Sequence, residues 1–175
     1  YGELPELPKN ELMKLAPLTP YAIDKLASEY ACCAYSNLYG LETVALRYFN
    51  VFGPRQDPSS PYSGVISIFV DRLKQKIQPV IYGDGEQSRD FVYIDDVVEA
   101  NMKAMFTENV SGSVFNVATG NPVTLNTLLK TLSKLYEMPF QPEYKDARTG
   151  DIKDSSADVN KAKEKLEWSS KYSLE

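Results

Sequence analysis

Thr43-Val44-Ala45-Leu46-Arg47-Tyr48-Phe49 runs through apolar side chains without alternation until Arg47. A strand with water on one face alternates, whereas a strand covered on both faces does not, so this stretch predicts a buried strand of a parallel sheet. A helical pattern lies before it over residues 20–38. Thr19 is placed as its N-cap, Pro20 as its first helical residue, and Tyr39-Gly40 as its stop. After the strand, residues 50–63 read as a loop dense in Gly, Pro, Asp and Ser. Residues 65–76 follow as an amphipathic helix with Ile66, Phe69, Val70 and Leu73 on its core face.

The alternation continues downstream. Val80-Ile81-Tyr82 reads as a short strand and Gly83-Asp84-Gly85 as a turn. Phe91-Val92-Tyr93-Ile94 is an extended run ahead of a helix from about Asp96 to Phe106, and Val114-Phe115-Asn116-Val117 is a second buried strand. Thr124 caps a helix over 124–136 whose Leu125, Leu128, Leu129, Leu132 and Leu135 recur at helical spacing and read as core. Residues 1–18 read as an extended loop, 141–157 as irregular, and 158–166 as a charged helix. Strands alternating with helices give an α/β chain. Only two long buried strands are evident, fewer than a doubly wound sheet requires.

Composition narrows the chemistry. The 175 residues carry a net charge of −5 and 43% hydrophobic residues, as an ordinary globular domain does, and no global field favours nucleic acid. No apolar run approaches the roughly 18 residues that span a bilayer. Cys32 and Cys33 are adjacent, a poor geometry for a disulfide, so a reducing cytoplasmic setting is expected. Histidine is absent, which removes Ser-His-Asp and Cys-His catalysis and the commonest metal ligand. No metal site is expected, and acid/base work falls to Tyr, Lys, Asp or Glu.

Tyr21 and Lys25 stand four apart at the start of the first helix, on one face. A tyrosine normally titrates near pKa ~10, and a fixed positive charge nearby favours the phenolate. The pair is a candidate acid/base device, and on spacing alone equally an ordinary surface Tyr and Lys. Asn50 sits at the carboxyl end of the 43–49 strand, where open α/β sheets bind ligands, but also suits a turn. Arg89 can hold a diphosphate bidentately or pair with a neighbouring carboxylate. Arg148 and Asp151 share a Gly turn that suits a phosphate and a ribose hydroxyl, or simply the surface.

Taken in order, Tyr21-x-x-x-Lys25, Arg47-Tyr48-Phe49-Asn50-Val51-Phe52-Gly53-Pro54-Arg55-Gln56, Tyr82-Gly83-Asp84-Gly85, Ser88-Arg89-Asp90-Phe91-Val92-Tyr93-Ile94-Asp95-Asp96, Phe115-Asn116-Val117 and Gly150-Asp151 resemble the extended short-chain dehydrogenase/reductase family. Within it the chain is most similar to NAD-dependent nucleotide-sugar epimerases and dehydratases of the UDP-glucose 4-epimerase type. The resemblance implies 4-epimerisation of a UDP-hexose, with or without an N-acetyl group, through a 4-keto intermediate. It implies that Tyr21 is the acid/base on the sugar 4-hydroxyl. Lys25 then binds the nicotinamide ribose, and Phe49 lies near the nicotinamide. Asn50, Arg89 and Arg148 become contacts to the sugar diphosphate, and Gly64 and Val65 backbone contacts to the substrate at the start of the helix that follows. Val80 and Tyr82 become the uracil strand, Tyr82 offering its ring to the base, and Asp151 a ribose ligand. A homodimer built through the 20–38 helix is implied as well.

The same comparison shows departures. None of the nine glycines forms the Gly-x-x-Gly-x-x-Gly fingerprint of the family, and the catalytic Ser or Thr expected ahead of Tyr1-Gly2 is not in the sequence. The expectation is a C-terminal fragment, carrying the C-terminal part of a Rossmann-type doubly wound parallel sheet and a smaller α/β substrate-binding domain. Residues 1–50 and 89–120 are assigned to the first, and 51–88 and 121–175 to the second. Such a fragment is expected to be inactive alone and not to bind NAD productively. A 4,6-dehydratase or decarboxylase of the same family, or a non-catalytic binding module on this fold, stands as the alternative.

Overall fold

The computed structural model describes residues 1–2, 4–60, 63–148, 150 and 152–174. Helix α1 (Pro20–Tyr39) starts where Thr19 Oγ1 accepts from the Ala22 amide at 3.2 Å. It stops at Gly40, whose φ of 67° lies in the left-handed region that glycine enters at no steric cost. Strand β1 (Val44–Tyr48) follows, then β2 (Asn50–Phe52), α2 (Val65–Lys74), β3 (Val80–Tyr82), β4 (Ser88–Arg89) and β5 (Phe91–Tyr93). The chain continues through α3 (Ile94–Phe106), β6 (Ser113–Val117), β7 (Val123–Thr124), α4 (Leu125–Leu135), β8 (Glu143–Lys145) and α5 (Asn160–Leu166).

β1 lies parallel to β6 with Leu46 opposite Phe115, and β2 lies parallel to β5 with Val51 opposite Val92. The chain changes partner at Phe49, whose amide donates to Val117 O at 3.1 Å, while the Asn50 amide donates to Asp90 O at 3.0 Å. β3 is parallel to β8, and the two-residue β4 and β7 are antiparallel. The strand read from the unbroken apolar run is found at Val44–Tyr48 and pairs in parallel, but it is not buried as expected: Val44 to Arg47 are half-buried and Tyr48 is exposed.

Two cores result. One gathers Val92, Val97, Ala100, Val110, Phe115 and Val117 with Ala162, Leu166 and Trp168 from the end of the chain. The other gathers Phe69 and Leu73 of α2, Ile81 of β3 and Phe91 of β5 with Leu125, Leu128, Leu129 and Leu132 of α4. Two buried carboxylates join the parts. Asp90 accepts from the Thr119 amide and hydroxyl, the Gly120 amide and the Ala157 amide. Asp96 accepts from the amides of Lys171 and Tyr172, while the Trp168 indole donates to its carbonyl at 2.9 Å. The N-terminal segment is held on Asn116, whose side chain accepts from Tyr1 Oη at 2.6 Å and donates to Lys9 O at 2.8 Å.

Several expectations are corrected. The α/β arrangement is not confined to a C-terminal part of a sheet: parallel pairing begins at Val44 and ends at Lys145, with helices from Pro20 to Leu166, spanning essentially the whole described chain. The sequence reading counted two long strands because the six others hold only two or three residues, too few to show a period. Residues 50–52 are strand rather than loop, and 143–145 are strand rather than irregular. Leu135, read as core, is exposed at the last position of α4, beyond the four leucines that the core covers.

The Cys33 thiol donates to Gly112 O at 3.6 Å, and burial, with the Glu29 carboxylate adding, pushes it above the ordinary thiol range. The thiolate is the reactive form. Cys33 is therefore expected to react more slowly with a disulfide reagent at pH 8 than a free thiol, and to catch up only as pH rises further. Comparing labelling rates of the protein and its Cys33→Ser variant across pH checks this.

Candidate active site

Tyr21 and Lys25 lie side by side on α1, as their i, i+4 spacing requires. The Lys25 ammonium is 5.2 Å from the centroid of the Tyr21 ring, and the ring is 60% exposed. A phenol and an ammonium thus share one open face, available to a ligand that carries hydroxyl groups. No residue of α1 is buried, so the strand beside it fixes the helix from one side. There Arg47 of β1 makes a bidentate pair with Glu29 of α1, both nitrogen–oxygen distances being 2.7 Å. Burial opposes the charge on Arg47, but the hydrogen bonds to Glu29 outweigh it and keep the guanidinium firmly protonated. The Arg47 guanidinium also lies 4.7 Å over the Tyr1 ring. Tyr1 is tilted against Phe49 at 6.3 Å, and burial pushes its phenol above the usual tyrosine range.

Phe49 packs against Ala118, Ala157 and Val159 at the carboxyl end of β1. Asn50 follows as the first residue of β2. The next turn depends on Gly53: a Cβ there would meet Ile94 Cγ2 at 2.4 Å, so only glycine lets the loop cross α3. Arg55 sits in the left-handed region at φ 68°, a strained conformation that concentrates at ligand-binding loops. Downstream, Asp57 accepts from the Ser59 amide, which holds its carboxyl below the ordinary range. Gly64 caps α2 without a side-chain hydrogen bond, and a Cβ on it would approach Gln56 Nε2 to 3.2 Å. The amides that open α2 at Gly64 and Val65 are of the kind that helices offer to anions.

A second group lies on β3, β4 and the segment after β8. Val80 pairs with Glu143, and Tyr82 with Lys145. The Arg148 guanidinium stacks on the Tyr82 ring, 4.0 Å from its centroid. Arg89 donates through Nη1 to Ser88 O at 2.7 Å and to Lys153 O at 3.2 Å, which aims its guanidinium. Asp151 lies outside the described residues.

The structure therefore brings together Tyr21 with Lys25 and Tyr82 with Arg148, and sets Asn50 against the residue that follows Arg89. It adds a residue that sequence reasoning passed over. Asn126 donates to Asp84 O at 3.0 Å and Glu86 Oε1 at 2.6 Å, and accepts from Tyr144 Oη at 3.0 Å. An Asn in the first turn of a leucine-rich helix, where helix propensity does not favour it, was the available signal. Among the described residues, no group of three or more Cys, Asp or Glu is arranged to hold a metal ion, and no helix is long and apolar enough to cross a membrane.

A profile of the NAD dependent epimerase/dehydratase family matches residues 1–118, and the chain belongs to that family. It is 39% identical over 176 residues to a putative UDP-glucose 4-epimerase of Methanocaldococcus jannaschii, covering 99% of this chain and 55% of that protein. The fold is similar to the UDP-N-acetylglucosamine 4-epimerase of Methanobrevibacter ruminantium M1, solved with UDP-N-acetylmuramic acid, at 42% identity and a TM-score of 0.93 over 98% of this chain and 54% of that one. It is similar also to the UDP-glucuronic acid 4-epimerase of Bacillus cereus, solved with UDP-glucuronic acid and NAD, at 31% identity and a TM-score of 0.89 over 99% of this chain and 54% of that one.

These findings overturn the expectation of a C-terminal fragment that lacks the NAD-binding half. The family match covers residues 1–118, and the likeness to solved α/β epimerases runs over nearly all 175 residues. The chain spans about half the length of the curated relatives it matches.

Proposed function

We propose that this chain carries the acid/base and sugar-nucleotide-binding residues of an NAD-dependent epimerase that inverts C4 of a UDP-hexose. The observation that carries the reading is the Tyr21/Lys25 pair on an open helix face, in a chain that has no histidine and belongs to this family. The donor set fits the nicotinamide-ribose end of NAD: the Lys25 ammonium would donate to the ribose hydroxyls, and Phe49 would offer an apolar contact to the nicotinamide. NAD, when bound, accepts and returns hydride at C4.

The chain's own residues do the rest. Tyr21 takes the proton of the sugar 4-hydroxyl as the 4-keto sugar forms, and gives it back after the sugar has turned. Lys25 keeps a positive charge beside the oxygen that loses the proton. Asn50 and the amides at Gly64 and Val65 hold the diphosphate from one side, and Arg89 and Arg148 hold it from the other. The backbone of Val80–Tyr82 meets the base, and Asp151 takes the ribose. Gly64, Val65, Val80–Tyr82, Arg148 and Asp151 fall in a unit formed by 51–88 and 121–175, and the acid/base pair in one formed by 1–50 and 89–120, with Asn50 and Arg89 at the boundary between them. The two main cores support this division in part, with α5, Trp168 and Val51 packing on the first core and Phe91 on the second.

Incubating the protein with NAD⁺ and either UDP-glucose or UDP-N-acetylglucosamine, and following the anomeric protons by NMR, tests the function and the choice of sugar together. Interconversion of either substrate with its C4 epimer is the expected result. Loss of water or carbon dioxide instead would assign the dehydratase or decarboxylase activity.

A homodimer through α1 belongs to the same reading. Tyr30, Tyr35, Leu38 and Tyr39 of α1 are each more than half exposed, an apolar display that one chain leaves uncovered. Sedimentation is expected to give a dimer for the native protein and a monomer for a Tyr35→Glu, Leu38→Glu variant.

A further inference from the structure

Tyr82 presents an aromatic ring where the nucleotide-sugar reading places a base, yet one face of that ring is already taken. The Arg148 guanidinium covers it at 4.0 Å, the separation of a stacked cation. We propose that Tyr82 is a positioning residue for Arg148, holding its guanidinium toward the pyrophosphate of the ligand, and is not the platform on which the base stacks. The proposal rests on the nucleotide-sugar reading above and changes what one of its residues does.

The backbone on both sides of the stack is fixed. Tyr82 lies opposite Lys145 in the β3–β8 pair, and the Gly83 amide donates to Lys145 O at 2.8 Å, three residues before Arg148. The Tyr82 carbonyl accepts from the side-chain amide of Gln87, which is itself buried. The following turn is clamped by Asn126, which bonds Asp84 and Glu86 through its side chain and Gly85 O through its amide. Tyr144 of β8 donates to the same Asn126. A Cβ on Gly85 would fall 2.2 Å from Asn126 Oδ1, so the turn and the clamp are built to one another.

A guanidinium is planar and weakly hydrated. On a rigid ring it keeps its in-plane N–H groups free for two oxygens of one phosphate, whereas an arginine on an exposed loop must first lose rotamer freedom. The ring thus pre-orders the cation and leaves its hydrogen-bonding edge available. A base seeking the same face would have to displace a favourable cation–π contact.

Calorimetric titration of the protein with UDP, UMP and inorganic pyrophosphate separates the two roles. Tyr82→Phe keeps the ring and is expected to bind UDP within about twofold of the native protein. Tyr82→Leu is expected to weaken UDP and pyrophosphate by roughly tenfold and UMP by less than about twofold. Arg148→Lys keeps the charge without the stacking plane, leaves β3 untouched, and is expected to reproduce the Tyr82→Leu pattern. In an Arg148→Met background, Tyr82→Leu should then cost nothing further. Equal losses for UMP and UDP in Tyr82→Leu, or losses from Tyr82→Leu and Arg148→Met that multiply, would overturn the proposal and restore the ring to the base. Native protein that binds pyrophosphate through Tyr82 and Arg148 but not UDP would keep the stack and overturn the nucleotide-sugar reading. Native protein that binds neither overturns both.

Discussion

Tyr21→Phe is expected to lower kcat for C4 epimerisation by about 10²–10⁴-fold, the range of a lost general acid/base, with a change in KM of less than about threefold. The substitution removes one oxygen from a ring that is mostly in water, so neither core loses a contact. Its melting temperature should stay within a degree or two of the native protein's, as surface changes usually leave stability. The contrast between intact stability and lost turnover separates an acid/base role from a structural one. A KM that rises while kcat stays unchanged would mark Tyr21 as a binding group only. Steady-state kinetics with a coupled assay for the epimer, beside a thermal melt, gives both numbers.

Asp90→Ala is expected to have the largest effect on stability, a loss of about 3–5 kcal/mol read from urea unfolding. The Asp90 side chain is fully buried, and its two oxygens accept from the Thr119 amide and hydroxyl at 2.8 and 2.7 Å and from the Gly120 amide at 2.9 Å. The Ala157 amide adds a longer contact at 3.4 Å. Alanine leaves these donors without an acceptor in a place that water does not reach. Asp90→Asn keeps one carbonyl oxygen and is expected to cost about half as much. The consequence extends to the site, because the Asp90 carbonyl receives the Asn50 amide and Arg89 precedes it directly. A destabilised Asp90 variant should therefore also bind UDP more weakly, in proportion to the strand order it loses.

Much of this was legible from residues alone, and the particular misses have physical causes. Thr19 and Gly40 bracket α1 because a hydroxyl acceptor and a left-handed glycine are local devices that need no tertiary context. The leucines of α4 announce their face because four of them, Leu125, Leu128, Leu129 and Leu132, repeat at helical spacing. Strand β8 left no such trace: Glu143, Tyr144 and Lys145 are all exposed, and only their pairing with β3 makes them a strand. The i, i+4 spacing of Tyr21 and Lys25 shows in the sequence as a shared face. The stack of Arg148 on Tyr82 joins residues 66 positions apart and appears only once β3 and β8 are paired. Asp90 shows the same limit, since its partners at 119, 120 and 157 are gathered by the fold and by nothing in the neighbouring sequence.

The central claim is that Tyr21 handles the proton of the sugar 4-hydroxyl while hydride leaves C4 and returns to it. Supplying the protein and NAD⁺ with UDP-hexose deuterated at C4, and reading C4 of both epimers by NMR, tests it directly. The account predicts inversion at C4 with the deuterium retained. Inversion with deuterium lost to water, or turnover that leaves C4 unchanged, would contradict it.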